Sequence, residues 1–449
     1  MSNQSPSEVL QPPTEKMGQA ATWVRIDHAA LRHNFDVSFQ CQNDARILAM
    51  VKADAYGHGA AEICQTLEDH PALAGFGVAI VDEGIELRQA GIKKDIVVHA
   101  GACWLHRIQE LITHHLQPVV SSLLELEMLF AHPAVQALQS PLKIHLALDT
   151  GMAREGLCVL NDDENVKHAN DASFLSEVLE PIFSLLSSGT QLELASVFTH
   201  FANADQAQHA QNERQRRRFA AVLSWMHNQN VLPNVVHSDN SAALLEAGFS
   251  EAGFSEATQL LVDTNRADTT KLNDDGGCSR LQRWVRPGIC LYGADPQKQK
   301  EKRNGMPVLL QVMHWHAPVV GRKRVPKGTP VSYGGNFITK LETELAVLRV
   351  GYADGYLRSM SGRASVLISG RRAPVLGTIC MDMIVVDVTE HVQLGTAVNL
   401  QDRATLLGCD PEHPDASIHL DEMALWRDSI PYEVTCGVSA RVPRIHSNR

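Results

Sequence analysis

The chain has 449 residues, of which 44% are hydrophobic and 20% are charged. Such a chain is globular and long enough to form two domains with sizeable cores. The formal net charge of -11 argues against a face for nucleic acid or for anionic lipid, because both require basic surface. We therefore expect a small-molecule partner.

Residues 1–20 are polar and rich in Pro, Ser and Gln. They lack the apolar core of a secretory signal, so we expect a disordered leader. The nine cysteines are scattered singly without a CxxC pair, which is typical of reduced thiols in the cytoplasm and indicates no metal site. No run of about 18 apolar residues is present, so we predict no membrane span.

Short apolar runs alternate with amphipathic stretches over residues 21–297. This alternation predicts strands separated by surface helices, and eight such units predict an eight-stranded βα (TIM-type) barrel. The predicted strands are Ile47–Val51, Phe76–Val81, Ile96–His99, Pro118–Val120, Leu142–Leu148, Leu192–Thr199, Val235–His237 and Arg286–Tyr292.

Residues 246–282 interrupt this alternation. They begin with two copies of EAGFS and continue as a strongly polar stretch. Because such a stretch cannot form a packed core, we predict a surface insertion. Over residues 298–449, β-branched runs are punctuated by Gly and Pro, which predicts a second, mostly-β domain.

The most informative segment is MVKADAYGHG, residues 50–59. Lys52 ends an apolar run, which predicts a position at the carboxyl end of a barrel strand, where barrel active sites lie. An amine there suits reaction with a carbonyl group. The segment closely resembles the signature of the alanine racemase family, whose lysine holds pyridoxal 5'-phosphate (PLP). The resemblance implies that Lys52 and Tyr56 bind this cofactor.

The resemblance continues in order along the chain, apart from the leader and the insertion. HLALDTGMAREG, residues 145–156, resembles the family segment whose arginine contacts the cofactor and approaches the substrate, which implies that role for Arg154. FTHFANAD, residues 198–205, is similar to the segment whose histidine lies against the pyridine ring, which implies that His200 stacks on the cofactor.

A third segment, HSDNSAA at residues 237–243, precedes a predicted helix. Asn240 and Ser241 stand where they would hold a phosphate at the helix N-terminus, and a plain N-cap would use the same residues. By resemblance they contact the phosphate of the cofactor.

A fourth segment, VRPGICLYG at residues 285–293, resembles the family's cofactor segment. It implies backbone phosphate donors at Gly288 and Ile289, and Arg286 as the partner of the pyridine nitrogen. A guanidinium stays protonated and can only donate, so it would leave the ring unprotonated and a poorer electron sink. That suits racemisation better than transamination.

The predicted second domain carries PVSYGG at residues 330–335. By resemblance, Tyr333 is the base on the face of the substrate Cα opposite Lys52. Inverting a stereocentre requires a proton removed on one side and supplied on the other, which two positioned residues do better than one.

Two further segments, VGYADGYLR at 350–358 and GTICMD at 377–382, match family segments that line the entry and the substrate carboxylate. They imply substrate binding by Tyr352, Met381 and Asp382. In the family these residues reach the barrel of a second subunit, so the resemblance implies a homodimer with shared active sites.

Two positions depart from the family pattern. Ala147 stands where many alanine racemases carry a carbamylated lysine that steadies the arginine equivalent to Arg154, and Ala440 stands where a tyrosine often narrows the pocket. The predicted function is the PLP-dependent interconversion of L- and D-alanine, supplying D-alanine for peptidoglycan. The alternative is a broader racemase with a larger pocket that accepts serine, lysine or arginine.

Two other classes have the same barrel. A non-catalytic PLP-binding protein would lack the second domain, and the presence of residues 298–449 argues against it. A decarboxylase or aldolase would have a different C-terminal half and typically an acidic partner at the pyridine nitrogen, where this chain has Arg286. The residues therefore favour a racemase.

Overall fold

The computed structural model describes residues 21–41, 45–160, 172–245, 281–296 and 308–447. The chain forms two compact units: one contains Ala30–Leu310, and the other combines Met1–Ala29 with Gln311–Arg449. The predicted leader, and the predicted insertion up to residue 280, lie outside the described residues. Within the described ranges, no helix combines the length and apolar character needed to cross a membrane.

The first unit is built on a ring of parallel strands. Each strand of the ring pairs with two ring neighbours, and the fourth pairs with the fifth so that the ring has no open edge. The short strand Leu157–Cys158 pairs with the fifth strand outside the ring. In the described part of this unit, the eight strands of the ring are Arg46–Met50, Leu73–Val78, Asp95–Val98, Gln117–Val120, Leu142–Asp149, Leu192–Thr199, Val235–Asn240 and Gln282–Arg286. The predicted barrel is confirmed.

Burial explains why these sequences form barrel strands. All six residues of Leu73–Val78 are buried, as expected for a strand covered on both faces. One buried hydrophobic cluster takes one side chain from each of the eight strands. Its members are Leu48, Ala74, Val97, Val119, Ala147, Phe198, Val235 and Trp284.

The last barrel strand lies earlier in the sequence than predicted. The sequence predicted Arg286–Tyr292, but the strand is Gln282–Arg286 and Ile289–Tyr292 is a 3-10 turn. Pro287 explains the difference, because proline has no N–H with which to continue the strand ladder.

Helices connect the strands of the first unit, and several agree with the predicted amphipathic stretches to within a few residues. The helix His28–Gln40 begins at the boundary between the units. The segment Lys52–Gly57 forms a short helical turn of left-handed backbone. The other described helices of the first unit are Ala60–Leu67, Val81–Gln89, Ile108–Thr113, Leu123–Ala131, Pro133–Gln136, Ala172–Ser187, Ala210–Asn228 and Ser241–Leu245, with 3-10 turns at Gly101–Arg107 and Ile289–Tyr292.

The second unit is mostly β, as predicted. Its long strand Met313–Val325 pairs with three other strands in antiparallel fashion. The other described strands are Trp23–Asp27, Pro330–Val331, Phe337–Ile338, Thr343–Leu348, Ser365–Ile368, Arg371–Leu376, Ile384–Asp387, Arg403–Cys409, Ser417–Ile418 and Arg444–Ser447, and the helices are Thr389–Gln393, Leu420–Trp426 and Pro431–Cys436.

The first strand of the chain, Trp23–Asp27, pairs with Met313–Val325 and Arg444–Ser447. The sequence analysis assigned residues from 21 onward to the barrel, whereas this strand belongs to the β unit. Its alternation explains the difference: Val24 and Ile26 are buried between partly exposed neighbours, which fits a sheet covered on one face rather than a barrel strand buried on both.

Candidate active site

Most of the predicted cofactor residues follow or end barrel strands. Lys52 follows Arg46–Met50, Arg286 ends the adjacent strand, and His200 directly follows Leu192–Thr199. Because parallel strands of a barrel point the same way, their carboxyl ends gather at one mouth. The fold therefore brings these three side chains to one end of the first unit.

The backbone directly after Lys52 is left-handed. Ala53, Asp54, Ala55 and Tyr56 have φ values of 52°, 53°, 51° and 55°, a conformation that costs an L-residue roughly 1–2 kcal/mol. Four such residues in succession require support from the surroundings. This turn sets the direction in which the chain leaves Lys52.

Glu83 supplies part of that support. One of its carboxylate oxygens accepts from Ala53 N at 2.7 Å, and the other accepts from Ala79 N at 2.7 Å and from Ile80 N at 3.3 Å. The carboxylate thus joins the turn after Lys52 to the start of the helix Val81–Gln89. Glu83 was not predicted from the sequence, because its local pattern is only that of an acidic first helical turn.

Arg286 is buried in the mouth of the barrel. Its guanidinium donates to the carbonyls of Thr199 at 2.7 Å and Ser238 at 3.2 Å, to His237 Nδ1, and to His200 Nδ1 at 3.3 Å. Burial lowers the pKa of Arg286 to about 10, and the charge of Asp239 opposes that shift. Arg286 therefore stays cationic and donor-only at neutral pH.

His200 is held neutral by its surroundings. Burial lowers the pKa of His200 well below its ordinary value, and the charges of Arg286, Arg154 and Lys52 lower it further. Its carbonyl accepts from Gln215 Nε2 at 2.9 Å. A neutral imidazole can accept from Arg286, which a protonated one cannot.

Arg154 lies on a loop that Asp149 organises. One oxygen of Asp149 accepts from the backbone nitrogens of Gly151, Met152 and Ala153 at 2.9, 2.9 and 3.2 Å. Arg154 is exposed and makes no hydrogen bond within the described ranges. The loop is ordered by its backbone while the guanidinium is left accessible. Sequence reasoning missed Asp149.

Glu155 is a carboxylate beside Arg154. Its side chain accepts from Gly101 N at 2.5 Å. Burial raises the pKa of Glu155, while the positive charges of Arg154 and Lys52 lower it. A half-buried carboxylate thus stands near both cations.

Tyr56, Gly288 and Ser241 converge on one point. A Cβ built on Gly288 would lie 2.5 Å from the Tyr56 hydroxyl, and the Ser241 hydroxyl accepts from Gly288 N at 2.8 Å. Glycine is therefore required for the close approach of the tyrosine. The hydroxyls of Tyr56 and Ser241 flank the backbone of Gly288, and Ile289 follows as the first residue of a 3-10 turn.

Asn240 acts as a helix cap. Its side-chain oxygen accepts from Ala242 N and Ala243 N, both at 3.1 Å, at the start of Ser241–Leu245. These bonds are those of the N-cap alternative. They use the oxygen of Asn240 and leave the Ser241 hydroxyl beside Gly288.

Tyr333 lies in the second unit, on a 3-10 turn, Tyr333–Gly335. Its side chain is 73% exposed, and its carbonyl accepts from Thr378 Oγ1 at 2.9 Å. Gly377 lies close beneath the turn, because a Cβ there would be 2.4 Å from Val331 O. The turn is fixed by its backbone and projects the phenol away from the core of its own unit.

Tyr352 and Met381 lie on adjacent loops of the second unit. Tyr352 N donates to Cys380 O and Ala353 N donates to Met381 O, each at 3.0 Å. Their side chains are 41% and 53% exposed. Gly351 permits this approach, since a Cβ on it would lie 2.3 Å from the carbonyls of residues 380 and 381.

A charge cluster braces the same loops. Arg441 donates to Asp354 at 2.7 Å and to Asp382 at 2.8 Å, and Arg349 donates to the Asp382 carbonyl at 3.1 Å. Two arginines and two aspartates thereby tie the loop of residues 351–355 to that of residues 380–382. Asp382 is engaged in this cluster.

The two departures from the family pattern lie in different settings. Ala147 is buried within the barrel cluster, opposite Phe198 on the next strand. Ala440 is exposed in the second unit. Among the described residues, no group of three or more His, Cys, Asp or Glu side chains is arranged to hold a metal ion.

Comparison with known proteins gives matches along nearly the whole chain. The family model for the alanine racemase N-terminal domain matches residues 26–257, and that for the alanine racemase C-terminal domain matches residues 312–446. An alanine racemase of Geobacter sulfurreducens is 34% identical over 436 residues, covering 96% of this chain and 98% of the relative. One of Citrifermentans bemidjiense is 35% identical, with 95% and 98% covered.

The fold matches solved structures of the same kind. The crystal structure of an alanine racemase from E. faecalis superposes with a TM-score of 0.75 at 27% identity, covering 96% of this chain and 99% of that one. An alanine racemase from Bacillus anthracis gives 0.72 at 29% identity, with 96% of each chain covered. The likeness includes both units.

Proposed function

The chain belongs to the alanine racemase family of PLP-dependent isomerases, and we propose that it interconverts L- and D-alanine with Lys52 and Tyr333 as its two bases. The observation that carries the proposal is that Lys52, two residues past one barrel strand, and buried Arg286, the last residue of the adjacent parallel strand, lie at the same mouth of the barrel. An amine and a donor-only cation at one barrel mouth suit a racemase that uses pyridoxal phosphate.

PLP fits the residues of the barrel mouth. The close approach of Tyr56 to Gly288, which any Cβ would block at 2.5 Å, leaves two hydroxyls and a backbone turn for a phosphate group, with Tyr56, Ser241, Gly288 and Ile289 as its binding residues. Asn240 supports this segment by capping the helix that follows. When bound, PLP supplies an electron-withdrawing ring that acidifies the substrate Cα–H.

Lys52 and Arg286 have separate roles in this mechanism. Lys52 would hold the cofactor, and its amine would take or return a proton on one face of the substrate Cα. Arg286 would hold the pyridine nitrogen as a donor, and it stays protonated at neutral pH because burial lowers its pKa only to about 10. A donor-only cation at that nitrogen would favour prompt return of the proton to Cα. His200, a neutral imidazole, would hold the face of the ring.

Arg154 and Tyr333 complete the site. Arg154 would hold the cofactor's phenolic oxygen and approach the substrate, which its exposed guanidinium allows. Tyr333, from a second copy of the chain, handles the proton on the opposite face of Cα, and its exposure of 73% supports a role outside its own unit. The same second copy also supplies the residues on the substrate side of the site, which are Tyr352, Met381 and Asp382. The active form is thus a homodimer.

A substrate panel tests the proposal. Purified protein with PLP should racemise alanine in both directions, and Lys52→Ala should lose both the activity and the visible absorbance of the bound cofactor. The exposed Ala440 favours a second candidate, a wider pocket that also accepts serine or larger amino acids, since one methylene is worth only about 1–3 kcal/mol of discrimination. Activity on alanine alone would contradict the wider pocket, and no activity on any amino acid would contradict both.

We also propose that the D-alanine formed serves peptidoglycan synthesis and that the enzyme works in the cytoplasm. The singly scattered cysteines support a reducing compartment. Growth of a D-alanine auxotroph on expression of this chain tests the first point, and fractionation of the expressing cells tests the second.

A further inference from the structure

A chain of hydrogen bonds runs from Arg286 into the barrel core. Arg286 Nη1 donates to His237 Nδ1, His237 Nε2 lies 2.9 Å from Ser196 Oγ, and Ser196 Oγ lies 2.6 Å from His145 Nδ1. The last hydrogen bond of this series joins His145 Nε2 to Gln117 Oε1 at 2.8 Å. All five side chains are at least nine-tenths buried.

The direction of every bond in this chain is fixed by its ends. A guanidinium only donates, so His237 Nδ1 accepts and its proton lies on Nε2. His237 Nε2–H then donates to Ser196, whose hydroxyl donates to His145 Nδ1. His145 Nε2–H donates to the carbonyl oxygen of Gln117, which can only accept. Each neutral imidazole is thereby held in a single tautomer.

Burial keeps both imidazoles neutral, as this arrangement requires. It lowers the pKa of His145 to about 4 and holds the pKa of His237 well below its ordinary value. A protonated imidazole has no acceptor nitrogen and would break the chain at that point.

The interior of such a barrel is normally filled by branched apolar side chains, and buried polar groups are costly unless they are bonded. The series of hydrogen bonds begins at Arg286, and in each bond the acceptor atom lies on the side that faces the guanidinium. Phe198 packs on the same pair, stacked on His237 at 4.6 Å and beneath the Arg286 guanidinium carbon at 4.8 Å. Both contacts restrict the orientation of Arg286.

We propose that Ser196, His145 and Gln117 are positioning residues for Arg286, which hold His237 in the tautomer that accepts from the guanidinium. The inference rests on the proposed function, in which Arg286 meets the pyridine nitrogen of PLP. It adds three residues that touch neither cofactor nor substrate. Their effect on catalysis passes through the aim of a single cation.

The test compares Ser196→Ala with Ser196→Thr, which restores the hydroxyl, and with Ser38→Ala. Ser38 is also a fully buried serine of the first unit. Its hydroxyl donates to Asn34 O at 2.8 Å and takes no part in the hydrogen bonds that lead from Arg286 to Gln117. Gln117→Met removes the last hydrogen bond of this series, the one between His145 and Gln117. It is the alternative test variant if Ser196→Ala does not fold. The measurements are the dissociation constant of PLP, by fluorescence titration of the full-length protein, and kcat and KM for L-alanine.

We expect Ser196→Ala to weaken PLP binding about fivefold and to lower kcat about tenfold with KM changed less than about twofold, the size expected for loss of one buried hydrogen bond. Ser196→Thr should recover most of both, and Ser38→Ala should change neither. Equal behaviour of Ser196→Ala and Ser38→Ala would overturn this inference alone. Failure of the unmodified protein to bind PLP would instead overturn the proposed function.

Discussion

The carboxylate of Glu83 accepts a hydrogen bond from the backbone nitrogen of Ala53, the residue after Lys52, at 2.7 Å. Through its second oxygen the same side chain accepts from Ala79 and Ile80. One carboxylate therefore links the turn that follows Lys52 to the strand-to-helix connection before Val81–Gln89. The turn is left-handed and depends on such contacts.

Removal of this carboxylate should loosen the lysine turn. We expect Glu83→Ala to lower the free energy of unfolding by about 1–3 kcal/mol, because it leaves backbone donors unsatisfied, and to weaken PLP binding. Glu83→Gln, which keeps one acceptor oxygen, should lose less. The control is Glu86→Ala, an exposed position on the same helix. Urea titrations measure the effect, and equal losses at 83 and 86 would contradict it.

Substitution by glycine should change the free energy of unfolding in opposite directions at two alanines near Lys52. Ala53 is exposed with φ at 52°, so Ala53→Gly relieves backbone strain and should raise the free energy of unfolding by up to about 1 kcal/mol. Ala61 lies in the right-handed helix Ala60–Leu67, where glycine should lower it by about 1 kcal/mol. Thermal unfolding compares the two, and destabilisation by both would show that the turn is not strained.

Room at Gly288 should be essential for cofactor binding. Gly288→Ala brings a Cβ to 2.5 Å from the Tyr56 hydroxyl and 3.1 Å from its ring carbon, so we expect at least about tenfold weaker PLP binding. Tyr56→Phe removes the closer atom. In a double-mutant cycle the two changes should therefore be less than additive, and strict additivity would show that the two residues do not compete for this space.

The alternation of apolar runs and amphipathic stretches predicted the barrel because the strands are largely buried on both faces, and this leaves a strong signal in composition. The displaced last strand and the first strand, Trp23–Asp27, were harder to predict. In one case Pro287 ends the ladder inside an apolar run, and in the other the strand pairs with segments about 290 and 420 residues further along the chain. The alternation within Trp23–Asp27 favours a sheet covered on one face, but it does not identify the distant partner strands.

The site shows the same limit. Motif resemblance predicted the residues that would touch PLP, such as Lys52 and Arg286. It missed Glu83 and Asp149, which hold backbone turns, because an acidic residue near a turn is common. Ser196 and His145 left a readable signal, as polar residues within largely apolar strand runs, but only the closed barrel shows that they bond to each other.

Acid should destabilise the fold through His145. Its pKa is about 4 when folded and about 6.5 when unfolded, so the unfolded chain binds more protons between these values. The free energy of unfolding therefore falls as pH drops from about 6.5 to about 4, by up to about 3 kcal/mol from this group alone. Urea titrations from pH 7 to pH 4.5 should give a shallower fall for His145→Gln.

The control for this pH series is His106→Gln, since His106 is exposed. Its curve should be parallel to that of the unmodified protein. If the free energy of unfolding of His145→Gln fell with pH as steeply as that of the unmodified protein, His145 would not be buried as a neutral group.

The most direct test of the two-base proposal is the exchange of the α-proton of alanine in deuterium oxide. The unmodified enzyme should exchange it in both enantiomers. Tyr333→Phe, with Lys52 and bound PLP intact, should retain exchange on one enantiomer and lose it on the other by about a hundredfold or more. Equal exchange rates for both enantiomers in that variant would contradict the opposed roles of Lys52 and Tyr333.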